Sequence, residues 1–311
     1  MRLAFIARRL AMLVASLLVA SFVIFGALYL APGNPIAALS GGRSLPPSSL
    51  KVLEARYHLN QPFLAQYWYW LTNAVHGNLG ISITLRENVT TLIASRIWTT
   101  AGLVLYASLI ILVLGIGMGL LSGLRPGLLD TSVLVSSAVS AAIPSFVAAI
   151  VLVALFAVKL RWFPALGNGT DLVSNLRHFT LPAFALALSS LAIVARVTRS
   201  AIREEAEREH VQTAVSRGIP RRQLVRRHIL RNAAIPITTI SGITIASTTA
   251  ATAFSLNGLG AYLVTSAQDK DLAVVQGISL VLVSAFVVIN VAVDLAYAVL
   301  DPRVTLGSRA T

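Results

Sequence analysis

Residues Thr99–Leu121 read TTAGLVLYASLIILVLGIGMGLL, uninterrupted by Asp, Glu, Lys or Arg. A charge at mid-bilayer costs about 2.5 to 3.5 kcal/mol on insertion scales, and a helix needs roughly 20 apolar residues to cross. The stretch predicts a transmembrane helix. Working outward, five more charge-free stretches lie at 10–29, 131–158, 179–195, 233–256 and 272–293. Composition points the same way: of 311 residues, 56% are hydrophobic and 12% charged, more apolar surface than such a chain buries in water. The expected fold is all-α, a polytopic membrane protein with six transmembrane helices. Cysteine is absent, which excludes disulfides, thiolate zinc sites, cysteine nucleophiles and Fe–S ligation.

The first stretch follows Arg2, Arg8 and Arg9 but is longer than a signal-peptide core, and Ala27-Leu28-Tyr29 is no cleavage site, so it reads as an uncleaved anchor. A polar segment, 31–96, then forms a small extracytoplasmic subdomain. Its helix signals are Pro46-Pro47-Ser48-Ser49 before residues 50–58, and Asn60-Gln61-Pro62 before Phe63 to Val75. Tyr67-Trp68-Tyr69-Trp70 covers every face of the second helix, as suits a helix at headgroup level; a stacking platform for a sugar or base is the alternative. The domain reading is thus 1–30 for the tail and first span, 31–96 for the subdomain, and 97–311 for a core of five spans.

The net charge of +13 suggests nucleic acid or a membrane surface, and the placement of the basic residues chooses between them. Nine arginines fall between Val197 and Ala233 and three precede the first span. Five basic residues are spread over the long first loop, Lys159, Arg161 and Arg177 lie between the third and fourth spans, and Lys270 stands alone between the last two. The positive-inside rule then puts both termini and the Arg-rich loop in the cytoplasm.

That loop, 200–237, reads SAIREEAEREHVQTAVSRGIPRRQLVRRHILRNAAIPI. Glu204 and Arg208 pair at i,i+4, and Val211, Ala214 and Val215 form a small apolar face. Gly218 suits a left-handed position after a helix and Pro220 the first position of the next. The segment predicts a short cytoplasmic helix tethered to spans on both sides, able to move with them. On composition alone an ordinary basic loop beside anionic lipid fits equally.

The order of residues adds weight to the first alternative. Glu209-His210-Val211-Gln212-Thr213-Ala214-Val215-Ser216-Arg217-Gly218-Ile219, then Arg226-Arg227-His228-Ile229-Leu230-Arg231-Asn232 and Pro236, resembles the cytoplasmic EAA loop of bacterial ABC import permeases, nearest the dipeptide, oligopeptide and nickel branch. The likeness extends through Leu30-Ala31-Pro32-Gly33-Asn34-Pro35, Gly77-Asn78-Leu79-Gly80, Ile143-Pro144-Ser145-Phe146, Phe254-Ser255-Leu256-Asn257-Gly258 and Asp301-Pro302-Arg303 in family order. In that family the short helix docks into a groove of a separate ATPase subunit, which implies Thr213, Ala214, Arg217, Gly218 and Ile219 at the contact. Gln212 stands where the broader family often has Glu. Asn34 and Asn78 replace a usual Asp, Asn257 a usual Pro, and Ala251 a common Glu in the fifth span.

The resemblance implies half of a translocation pathway for di- or oligopeptides in the bacterial inner membrane. Its implied partners are a homologous permease, two ATPase subunits carrying ATP and Mg, an extracytoplasmic binding protein and membrane lipid, with no nucleic acid. No cofactor is expected on this chain: none of Lys51, Lys159 or Lys270 follows a glycine as a phosphate-binding loop requires. The histidines His58, His76, His178, His210 and His228 show no metal-ligand spacing, and no catalytic residues are expected. Asp294, the one deep acid read within the spans, is expected to pair with Arg196 or Arg199. Thr244, Ser247, Thr248 and Thr252 form one polar stripe on the fifth span, either helix glue or the lining of a wet pathway. Nickel import is the alternative within the family, and a non-transporting membrane scaffold the alternative outside it.

Overall fold

The computed structural model describes residues 2–30, 46, 60–165, 167, 169, 171–251 and 258–300. The expected helix at 50–58, Asn34, Thr252, Asn257 and the tail with Arg303 and Arg309 lie outside them. Among the described residues the fold is helical, with one isolated bridge between Ile81 and Asn88. The elements are α1 (Arg2–Leu30), α2 (Phe63–Val75), α3 (Val89–Leu124), α4 (Leu128–Ala142), α5 (Ser145–Lys159), α6 (Leu172–Ala206) and α7 (Glu209–Ser216). After them come α8, running Arg221–Leu224, a π-helical Val225–Ile229 and Leu230–Ala251, then α9 (Leu259–Gln268) and α10 (Leu272–Leu300).

Five helices, α1, α3, α6, α8 and α10, are long and apolar enough to cross a membrane, and the α4–α5 pair makes up to six if it is one broken span. Large apolar side chains stand exposed along them, among them Val19, Val23, Leu105 and Val113, as a surface solvated by lipid requires. The helices outrun the charge-free stretches; α3 starts at Val89 and carries Arg96. Lack of charge marks the hydrocarbon section, while the helix continues into the interface.

The third stretch is not straight: α4 and α5 meet at 102°. Pro144 has no N–H to donate, and its ring pushes the preceding residue out of helical conformation, so Ile143 sits at φ −86°, ψ 117°. The helix restarts from Pro144.

The chain divides into two compact units. One holds residues 1–9, 102–251 and 288–311. Its centre is α6 against the second half of α3, where Gly115, Gly119 and Gly123 recur every four residues. A Cβ on Gly119 would lie 2.5 Å from Thr198 Cβ and 2.6 Å from the Ala195 carbonyl; on Gly123, 2.9 Å from Ile202. Glycine removes the obstacle, and two apolar helices pack backbone to backbone. Leu103, Ala107, Ile111, Phe179, Ala187 and Val194 extend this core.

The other unit holds residues 10–101 and 252–287. Here α2 lies on α1: Phe63, Tyr67 and Trp70 surround Phe25 at ring distances of 5.5 to 5.7 Å, and the Tyr67 hydroxyl meets Ser21 Oγ at 2.8 Å. Of the four consecutive aromatics, Tyr67 and Trp70 face inward, while Trp68 and Tyr69 are exposed. A second core joins Val89, Leu92 and Ile93 to Leu259, Val274 and Ile278. Buried Asp271 accepts from Ser82 Oγ at 2.5 Å and Thr84 N at 3.2 Å, fixing the loop before α3. Burial pushes the Tyr262 phenol up, opposed by Arg96, whose guanidinium lies 4.1 Å above the ring.

Candidate functional site

The site is built on the end of α6. Glu205 is its central group, a carboxylate with 6% of its side chain exposed. It accepts from Asn232 Nδ2 of α8 at 2.7 Å, and Arg208 Nε of the corner and His210 Nε2 of α7 each stand 3.1 Å from it at ion-pair distance, the histidine when its ring is protonated. A buried carboxylate is costly unless its lone pairs are filled, and here three elements fill them. The Glu204–Arg208 pair also forms, at 3.4 Å, but on the surface, where it contributes little.

α7 is eight residues long, too short to persist alone. It is held by Val211 and Ala214, buried with Ile202, Leu224, Ile229 and Ala233. Val215, expected on the apolar face, is 56% exposed, because the burial runs along the 211/214 line and 215 turns away from it. Arg217 ends the helix and Gly218 follows at φ +72°. Gly218 N donates to Val215 O at 2.9 Å and Ile219 N to Ala214 O at 3.2 Å, the paired bonds of a Schellman ending. Pro220 caps the next helix from outside rather than opening it; α8 starts at Arg221. Arg221 Nη2 then donates to Leu124 O at 3.1 Å, tying this corner to the end of α3.

The structure therefore turns Ala214 inward, half-buries Ile219, and leaves Gln212, Thr213, Arg217 and Gly218 exposed. Together with Val215 and Ser216 these form an outward face on a rigid mount.

A second charged cluster lies nearby and was missed in the sequence. Asp130, in the first turn of α4, accepts a fork from Arg199 at 2.5 and 2.9 Å, Arg203 Nη2 at 2.5 Å, and the Ser122 hydroxyl. It joins α3, α4 and α6. This corrects the expected pairing of Asp294: Arg199 is engaged by Asp130, Arg196 donates to Ser137 O at 3.0 Å, and Asp294 instead meets Arg9 of α1 at 2.9 Å. Asp130 escaped notice because it stands one residue before the charge-free stretch at 131–158.

The hydroxyl stripe divides. Thr244 and Thr248 are buried and donate to Ile240 O at 2.6 Å and Thr244 O at 2.8 Å, whereas Ser247 is exposed on α8 and donates to Thr244 O at 2.9 Å. Among the described residues no group of three or more His, Cys, Asp or Glu could hold a metal ion.

The fold and site define a polytopic membrane protein displaying a short, firmly mounted helix outside its spans. Residues 115–306 match the family described as binding-protein-dependent transport system inner membrane component, and residues 2–104 match its N-terminal counterpart. The chain belongs to that family: it is a permease subunit of an ABC importer, a multi-pass inner-membrane protein. It is similar to a peptide transport system permease protein of Brucella melitensis, 36% identical over 98% of this chain and 99% of that protein. It is also similar to the oligopeptide transport system permease protein OppB of Salmonella typhimurium, 33% identical over 97% of this chain and 99% of that one. A peptide ABC transporter permease protein of Sinorhizobium fredii is 29% identical over 96% and 98%. Such subunits are not enzymes; ATP hydrolysis belongs to separate partner chains, and a binding protein delivers the substrate.

Proposed function

We propose that this chain imports di- or oligopeptides as half of a pathway completed by a homologous permease. Similarity over nearly the full length to peptide permeases carries this reading. Of the two ATPase subunits of the assembly, with ATP and Mg, one docks on the exposed face of α7 formed by Gln212, Thr213, Arg217 and Gly218. Ala214 and Ile219 serve that contact from behind, by anchoring the helix. The chain crosses six times, with α4–α5 as one broken span and both termini cytoplasmic, and the divisions 1–30, 31–96 and 97–311 correspond to anchor, extracytoplasmic subdomain and core. Of the hydroxyl residues, Ser247 has a surface to offer the pathway, while Thr244 and Thr248 serve packing.

A peptide carries amide donors and acceptors and two terminal charges, so its path must be wet and opened alternately. Ala251 in place of an intramembrane acid suits neutral or zwitterionic cargo over a free divalent ion. Uptake of labelled peptide by cells lacking this chain, compared with cells in which it is restored, tests the assignment. Restored peptide uptake is expected; nickel uptake without peptide uptake would refute it. Reporter fusions after Arg217 and Lys270 should score internal and external respectively.

A further inference from the structure

Where α5 ends and α6 begins, the chain forms an open pocket of about 420 Å³ whose lining includes Arg161, Trp162, Arg177 and His178. The α4–α5 candidate span stops at Lys159 and the next begins at Val173, so the pocket lies between the ends of two candidate spans. Its floor is pinned. Trp162 N and Phe163 N both donate to Phe156 O, at 2.9 and 3.4 Å, and the Trp162 ring lies 5.6 Å from that of Phe156. Arg161 turns the chain there in a left-handed conformation, φ +55°, uncommon for a residue with a side chain.

The charge on this pocket is unbalanced. Among the described residues no carboxylate lies within ion-pair distance of Arg161, Arg177 or His178. Asp171, the nearest acid in sequence, uses its carboxylate to accept from Ser174 N at 3.0 Å at the start of α6. Among the described residues Arg177 donates to Trp162 O at 3.3 Å, and His178 Nδ1 meets Ser174 O at 2.8 Å, turning the other ring nitrogen away from the helix. From the charged rim toward the spans, Leu155 and Val158 on α5 and Phe184 on α6 are apolar and exposed. A cationic, aromatic mouth above apolar helix flanks matches a molecule with an anionic head and hydrocarbon tails. Three basic residues, Lys159, Arg161 and Arg177, also stand on a side that the positive-inside rule keeps poor in them.

We propose that this pocket binds the phosphodiester headgroup of an anionic phospholipid in the extracytoplasmic leaflet, with Arg161 and Arg177 on the phosphate, Trp162 at the glycerol level and the tails along α5 and α6. The choice of leaflet rests on the topology proposed above; the chemistry of the site does not. Arginine suits the role because its planar donors pair with two phosphate oxygens at once.

The test is lipid retention by the purified, assembled transporter, read by native mass spectrometry after exposure to mixed micelles of phosphatidylglycerol and phosphatidylcholine. The wild type should retain phosphatidylglycerol over phosphatidylcholine by about tenfold, and Arg161→Gln with Arg177→Gln should abolish the preference. Arg161→Lys with Arg177→Lys, which keeps the charge and loses the fork, should retain part of it and serves as the control for folding. Excess inorganic phosphate should leave the lipid bound. Equal retention of the two lipids, unchanged preference in the Gln variant, or displacement by inorganic phosphate would each overturn the proposal. Retention is read without transport, so failure of the peptide assignment would leave it standing.

Discussion

Asn232 of α8 and Glu205 of α6, 27 positions apart, share a hydrogen bond of 2.7 Å that closes the base of the displayed helix. Arg208 and His210 meet the same carboxylate, so one side chain sets the angle of α7 against two spans. Glu205→Gln keeps an acceptor for Asn232 but discards the charge. Losing a charge-assisted bond of about 1.5 kcal/mol should speed amide exchange across 209–216 roughly tenfold, with assembly retained. Unchanged exchange by mass spectrometry would remove Glu205 from this role.

Gly218 offers a separable test of backbone and side chain. Nothing lies within 4 Å of its absent Cβ, so substitution is penalised by the left-handed φ of +72° and by little else. Gly218→Val should cost more than about 1 kcal/mol locally and weaken co-purification with the ATPase subunits or uncouple their hydrolysis from substrate. Gly218→Asn, tolerant of that conformation, should stay near wild type. Normal coupling in the Val variant would count against docking at this corner.

Two neighbouring glycines of α3 should respond in opposite ways. Gly119→Ala puts its methyl against a backbone carbonyl at 2.6 Å and should destabilise by about 1 to 3 kcal/mol, lowering the thermal midpoint in detergent. Gly117 has open space around it, so Gly117→Ala should be neutral or gain a few tenths of a kcal/mol from helix propensity. Equal midpoints for the two variants would show that the helices part more readily than their packing implies.

On α8, Thr248→Val should leave peptide flux unchanged, because the buried hydroxyl is spent on its own helix. Ser247→Leu, on the exposed face, should slow flux without loss of assembly. The reverse pattern in vesicle uptake would place the pathway on the other side of the helix.

How much of this was legible depended on whether the cause was local. Gly218 and Pro220 act on their own backbone, and the corner they make was readable within one residue. The helix Phe63–Val75 follows directly from Pro62. The bend at Pro144 was present as a letter but hidden in a count of charges, which is blind to a missing hydrogen bond. Gly115, Gly119 and Gly123 looked like apolar filler, since their meaning lies in what α6 brings against them. Asp130, Arg199 and Arg203 are 69 and 73 positions apart, and nothing local announces that pairing.

The length of α6 carries a mechanical consequence. Its 35 residues make a rod of about 52 Å, well beyond the roughly 30 Å of a hydrocarbon core. A push received at Glu205 enters this rod directly, without a loop to absorb it as slack. The stiffness persists over about 35 Å, to Pro182, whose ring removes one hydrogen bond of the ladder. Flexing is cheapest there. A stroke delivered at one face of the membrane would therefore travel through α6 undamped and be released as bending near the opposite face.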